Sequence, residues 1–374
     1  MVATLRVMLD QVVAPTSPVL AEASRELARA LVDGAPSGCV VEGIVPGGTD
    51  AESAVVAGLA DVRRAGLPRR ELATALQLGA PTGIGGGMIH APTLFAPLVK
   101  HDRTHDGDQT VVTVWDLRAW ETPDELSRLA VGWQKAMLKR AARHADAVIA
   151  PTHSMAERLR SLAKLGDRVR VVAGAAPAGF AVPTDDIGRR REMDLPEGFV
   201  LLSGEPHAST GLATGFAGIA ASGVDHPVVV IDVPEGQEPA VAEIAEAAGV
   251  PERRIHVRGS LDTADRAAVF GAALAFVAPA TRTAFPWRVL DALTLGVPVL
   301  AADTAVHRDV IADGGELIDV TDAAAAGDAF GDALSRALGS TQAAERLAVM
   351  ADDRGRAFSW SEAADKVWHL HAEL

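Results

Sequence analysis

Apolar runs short enough for strands alternate with amphipathic stretches long enough for helices along the whole chain. A strand followed by a covering helix returns to its sheet as a parallel strand, so the pattern specifies α/β domains with doubly wound parallel sheets. Strands are expected at residues 4–9, 39–46, 88–94, 110–117, 147–152 and 169–173, with helices at 17–32, 122–144 and 154–163. The first helix carries its own punctuation: Ser17 as cap, Pro18 in the first turn and Gly34 as stop. Residues 173–194 break the rhythm with Gly174, Pro177, Gly179 and Pro183 and read as a linker. The alternation then resumes, with strands expected at 199–204, 227–233, 255–258, 273–277, 297–301 and 316–320 and helices at 211–221, 239–248, 263–272, 286–295 and 306–312. Two domains follow, residues 1–178 and 179–374, each long enough to bury its own core.

Several function classes drop out on composition. Cys39 is the single cysteine, which excludes an intrachain disulfide, an all-cysteine zinc site and an iron–sulfur cluster; it reads as a small buried residue heading its strand. A net charge of -14, with Arg189–Arg191 the one basic run, argues against nucleic acid as a partner. The longest low-charge stretch, 267–281, falls short of the ~20 residues that span a bilayer. Arg6 and Asp10 stand where a signal peptide would be apolar, so the expected location is cytoplasmic.

Local motifs narrow the chemistry. Gly83 to Gly87 is glycine-rich but precedes a strand, the wrong context for a dinucleotide fingerprint, and is expected to be a mobile loop facing an interdomain space. His101 and His105 lie in a polar turn with Asp102, Thr104 and Asp106, so no metal site is expected there. More specific are residues 199–212, a strand that ends at Gly204 and turns into a helix at Gly211, and 278–300, a strand, loop, helix and second strand.

With these two stretches the chain resembles glycosyltransferase family 4, the group-1 glycosyltransferases of GT-B fold. The resemblance extends through Met88-Ile-His-Ala-Pro, residues 110–117, Ala147-Val-Ile-Ala-Pro-Thr-His-Ser, the Arg258-Gly259 strand end and Phe358-Ser-Trp360. It implies two Rossmann-like domains facing an interdomain cleft, the first on the acceptor side, the second on the side of the sugar donor, and a last helix returning to the first domain. The implied reaction moves a hexose from a nucleotide sugar to a glycan or lipid acceptor with retention of configuration, without cofactor or obligatory metal.

Departures from the family pattern are concentrated where the diphosphate should be held. Glu205 replaces the arginine after the strand-end glycine, and Thr210 replaces the lysine five positions on. Thr283 and Asp291 stand for the two glutamates that grip the sugar and ribose, and Trp115 stands for the histidine beside Asp116, which is left as the catalytic candidate. The candidates for binding the sugar donor are therefore Gly204, Gly211, Arg258, Arg282, Arg288 and Asp291, with His207 as a further possibility. Each charge-assisted hydrogen bond to a diphosphate is worth roughly 1.5–3 kcal/mol in binding. Preorganised groups acting on developing charge contribute about 3–4 kcal/mol each to the barrier. Loss of both cations predicts a deficit of several powers of ten, and Glu205 would add repulsion.

Three readings follow. A divergent transferase would recruit Arg258, Arg282 or Arg288 in place of the lost cations. A non-catalytic paralogue would bind a glycan or an active glycosyltransferase as partner; Trp115, which cannot move a proton near neutral pH, would then fill the cleft. An epimerase or phosphorylase relative lacks a visible set of acids, bases or a cofactor lysine.

Overall fold

The computed structural model describes residues 2–49 and 56–374. The chain divides into two compact units: Met1–Ala178 with Thr283–Phe285 and Ser359–Leu374, and Gly179–Arg282 with Pro286–Phe358.

The first unit carries a parallel sheet of β1 (Ala3–Met8), β2 (Cys39–Gly47), β3 (Asp61–Pro68), β4 (Met88–Ala91), β5 (Gln109–Thr113), β6 (Ala147–Ala150) and β7 (Val169–Val171). Their spatial order is β3-β2-β1-β4-β5-β6-β7. Residues of β5 and β6 are buried throughout, as expected of strands covered on both faces. The edge strand β3 has no counterpart among the expected strands. Arg63 and Arg64 interrupt its apolar character, and Arg63 pairs with Glu42 of β2 at 2.9 Å on the exposed side. Such charge is how an edge strand avoids further pairing, and it also hides the strand from pattern reading.

Other boundaries differ for local reasons. The helix Pro18–Asp33 starts at Ser17 and stops at Gly34, although the Ser17 side chain makes no capping bond. The single helix expected over 122–144 is two elements, a turn of 3-10 helix at Pro123–Glu125 and the helix Arg128–His144, whose cap Ser127 accepts from the Ala130 amide. Strand β5 ends at Thr113 instead of running to 117. Beyond it the chain makes an antiparallel bridge between Asp116 and Ala284, with Leu117 N donating to Thr283 O and Phe285 N to Trp115 O, both at 2.9 Å. The final helix, Trp360–Glu373, is capped by Ser359 and docks through the Trp368 indole, which donates to Leu31 O at 3.1 Å.

The glycine run 83–87 is not a loose loop. The Gly87 amide donates to Asp108 Oδ1 and Arg6 donates to Gly86 O, which tethers the segment at the amino end of the sheet just before β4. Cys39 is half-buried where a buried residue was expected. His101 lies between Val99 O and Asp146 Oδ2, and His105 pairs with Asp102 at 2.8 Å. Among the described residues no helix is long and apolar enough to cross a membrane.

The second unit carries β8 (Phe199–Ser203), β9 (Val228–Ile231), β10 (Ile255–Val257), β11 (Ala273–Ala278), β12 (Val299–Ala302) and β13 (Glu316–Ile318), all parallel in the order β10-β9-β8-β11-β12-β13. Val200, Leu202, Val228 and Val230 of β8 and β9 pack with Phe216 and Phe330 in its core. Helix Leu212–Ala221 lies so close to helix Ala326–Leu338 that a Cβ on Gly218 would meet Phe330 Cβ at 2.5 Å. The expected linker contains a helix of its own, Asp186–Glu192, which turns Arg189 toward Asp185 and Asp265 and Arg190 toward Asp186.

Both sheets reverse their winding once. From β8 the chain builds outward through β9 and β10, then returns to build β11, β12 and β13 on the other side. The carboxyl ends of β8 and β11 therefore form the topological switch point of the second unit, where open parallel sheets bind ligands. In the first unit the same position is occupied by the ends of β1 and β4.

Candidate active site at the strand ends

Two loops meet at the carboxyl ends of β8 and β11. Residues 204–211 leave β8 through Gly204 (φ +138°) and enter the next helix through Gly211 (φ +71°). A Cβ on Gly211 would lie 2.3 Å from Pro279 O, so only glycine lets the first loop press against the start of the second. Thr281 N donates to Ser209 O at 3.0 Å and fixes the two loops in register. Within the first loop the Thr210 hydroxyl lies 2.8 Å from Glu205 O and 2.7 Å from His207 O, and the His207 ring pairs with the Glu205 carboxylate at 3.1 Å. Thr210 is thus bonded into its own loop, and Glu205 places a carboxyl group just beyond the strand end.

The arginines named from sequence have internal partners. Arg258, at the end of the edge strand β10, donates through Nε to Met193 O at 2.8 Å, through Nη1 to Val257 O at 2.7 Å and through Nη2 to Asp194 O at 3.1 Å. It closes the carboxyl end of the Asp186–Glu192 helix, where exposed carbonyls and the helix dipole favour a cation. Arg288 lies at the start of the helix Trp287–Thr294 and is 9% exposed. It grips Asp232 with both oxygens engaged, Nε to Oδ2 at 2.7 Å and Nη2 to Oδ1 at 2.9 Å, and reaches Asp291 Oδ2 through Nη1 at 2.8 Å. Asp291 is 2% exposed and also faces Arg266 Nε at 2.9 Å. Arg266 in turn lies over the Phe180 ring, 5.2 Å from its centroid.

Burial opposes charge on both Asp232 and Arg288. Their mutual attraction wins: the Arg288 guanidinium, with the Ser203 hydroxyl bond at 2.7 Å, holds the Asp232 carboxyl below its ordinary value, and the charges of Asp232 and Asp291 hold Arg288 above its own. The two shifts favour the ionised forms of Asp232 and Arg288, and the cluster sets two arginines against two aspartates. Asp232, Ser203 and Arg266 were not singled out from sequence. Asp232 could have been flagged as the acid ending the apolar run 227–231, in a left-handed backbone conformation (φ +63°) unusual for a residue with a side chain.

In the first unit, Trp115 is 7% exposed, its indole donating to Pro92 O at 2.7 Å and its ring 5.5 Å from that of Phe285. Asp116 accepts from both the amide and the Nε of Arg118. Thr283 lies beside Leu117 in this unit, whereas Asp291 belongs to the second. Asp10, at the end of β1, is an acid the sequence reading passed over. It is 1% exposed, accepts from Gln11 at 2.8 Å and from Arg69 at 3.3 Å, and burial, against the pull of Arg69, raises its pKa to about 6.

Known proteins place this architecture. The family model described as glycosyl transferases group 1 matches residues 213–338. No curated protein sequence matches the chain. Among solved structures, sucrose-phosphate synthase from Thermosynechococcus elongatus is 18% identical, with a TM-score of 0.71 over 99% of this chain and 98% of that one. Anabaena HepE, solved with UDP-glucose, is 14% identical, with a TM-score of 0.72 over 99% and 100%. WaaG, a glycosyltransferase involved in lipopolysaccharide biosynthesis, is 14% identical, with a TM-score of 0.66 over 97% and 98%.

The fold is GT-B. Its second unit presents at the switch point a glycine-edged double loop, a carboxyl group at Glu205 and a quartet of two arginines and two aspartates. Arg282 lies in the second loop and is half-buried. A polyanionic ligand at this edge would meet side chains that already have partners of opposite charge, so binding it through Arg288 requires breaking a bidentate ion pair.

Proposed function

We propose that the chain is a glycosyltransferase family 4-type protein built for retaining hexosyl transfer but closed to the diphosphate of a nucleotide sugar, and that it acts as a non-catalytic partner of an active glycosyltransferase or as a glycan-binding protein. The observation that carries this reading is the bidentate grip of Arg288 on Asp232. That grip withdraws the best-placed cation from an edge where Glu205 and Thr210 have already replaced two others. In the departure of a nucleoside diphosphate, charge builds on the leaving phosphate, and each missing preorganised partner costs about 3–4 kcal/mol of barrier.

The test is nucleotide release from UDP-glucose, UDP-N-acetylglucosamine and GDP-mannose by the purified protein, with and without oligosaccharide acceptors. The reading expects release no faster than in buffer. Turnover that disappears in Arg288→Gln would overturn it. A second reading, a divergent transferase, is favoured by the position of Arg282 in the 279–286 loop and expects turnover that depends on that residue.

A further inference from the structure

The buried quartet is not symmetric. Asp291 is its inner carboxylate, with a side chain 3% exposed between Arg288 and Arg266. Asp232 is the outer one: its side chain is 22% exposed, against 10% for Arg288 beneath it. It reaches Arg288 from the turn after β9, with the backbone in the left-handed region at φ +63°. Two parallel N–H···O bonds from one guanidinium to one carboxylate, at 2.7 and 2.9 Å, reproduce the grip arginine offers to a phosphate or another planar or tetrahedral oxyanion. The Ser203 hydroxyl supplies a third bond to the same carboxylate at 2.7 Å, from the end of β8. Inner and outer carboxylates therefore have different consequences: Asp291 lies between both guanidinium groups, while Asp232 holds Arg288 from the more exposed side.

We propose that Arg288 and Ser203 form an oxyanion site of the phosphate class at the switch point of the second unit, and that Asp232 occupies it as a built-in surrogate for the ligand. The site opens only when that carboxylate is removed or displaced. This deepens the closed-edge reading above, since it names the group that does the closing. Removing the Asp232 charge takes away the carboxylate that engages both Nε and Nη2 of Arg288 and leaves those donors for an anion.

The test uses the full chain and inorganic pyrophosphate, titrated calorimetrically at fixed ionic strength. Asp232→Asn and Asp232→Gly both suit a left-handed backbone position and remove the charge. Either variant should bind pyrophosphate at least tenfold more tightly than the natural chain. The gain should vanish in Asp232→Asn/Arg288→Gln, which removes the guanidinium that would hold the anion. A folded Asp232→Asn protein with unchanged affinity, or a gain that survives in the double variant, would overturn the proposal. Failure of both single variants to fold would overturn it too, by showing Asp232 to be a structural counter-ion. Turnover of a sugar nucleotide by the natural chain would defeat the non-catalytic reading alone, because the pyrophosphate comparison between variants would still be readable.

Discussion

Replacing Asp291 by alanine lowers the stability of the second unit by about 3–5 kcal/mol, the cost of removing one partner of a buried ion pair. Asp291 faces two guanidinium groups at 2.8 and 2.9 Å and is 2% exposed, so little solvent screens the attraction that is lost. Arg288 keeps Asp232, but Arg266, itself 2% exposed, loses its ion pair with Asp291. Against a typical domain stability of ~5–15 kcal/mol this is a large fraction. Asp291→Asn, which keeps the shape, should show most of the effect, because charge and not volume is at stake. Urea unfolding followed by circular dichroism reads the change as a shifted midpoint at constant slope. A shift equivalent to less than about 1 kcal/mol would mean that solvent reaches the cluster.

The second large effect is acid sensitivity of the first unit. His90 in β4 and His371 in the last helix face each other with ring centroids 5.6 Å apart, His90 fully buried. Burial pushes the His371 pKa down to about 4, against a smaller upward pull from Asp146, and burial with the charge of His371 holds His90 well below its ordinary value of 6.5. Between pH 6.5 and 4 the unfolded chain therefore binds protons that the folded chain refuses, and stability falls as the pH falls. For His371 the loss is on the order of 3 kcal/mol. Asp10 works in the opposite direction. Its raised pKa, about 6, means the folded chain holds a proton between pH 6 and 3.8 that the unfolded chain has released, so acidification relieves a penalty there. Comparison with His371→Gln isolates the histidine: the natural chain should lose about 3 kcal/mol more than the variant between pH 6.5 and 4. Parallel profiles would show that the pair is hydrated.

Strands such as β9, four buried apolar residues in a row, are legible because a doubly covered parallel strand leaves no polar positions. Strand β3 is not, because its charges serve an edge, and the 122–144 stretch misleads because helical spacing resumes on both sides of the Pro123 turn. At the site, Gly204 and Glu205 follow the end of β8, Thr210 lies just before the next helix and Asp291 falls within the helix Trp287–Thr294, placements that follow from local order. Local order does not locate their partners. Arg288 meets an aspartate 56 residues away and Arg258 meets a carbonyl 65 residues away, pairings set by the order of strands in the sheet and by the linker helix, not by any local pattern. An arginine in the first turn of a helix looks available until the neighbouring strand end is known to present Asp232.

The account turns on whether the second unit accepts a nucleoside diphosphate. Isothermal titration of the natural chain with UDP, GDP and UDP-glucose measures this directly. With Arg288 engaged by Asp232 and Glu205 at the end of β8, the expected result is no binding at ligand concentrations up to about 1 mM, which corresponds to a free energy weaker than roughly -4 kcal/mol. A dissociation constant in the micromolar range for any of the three would contradict the account.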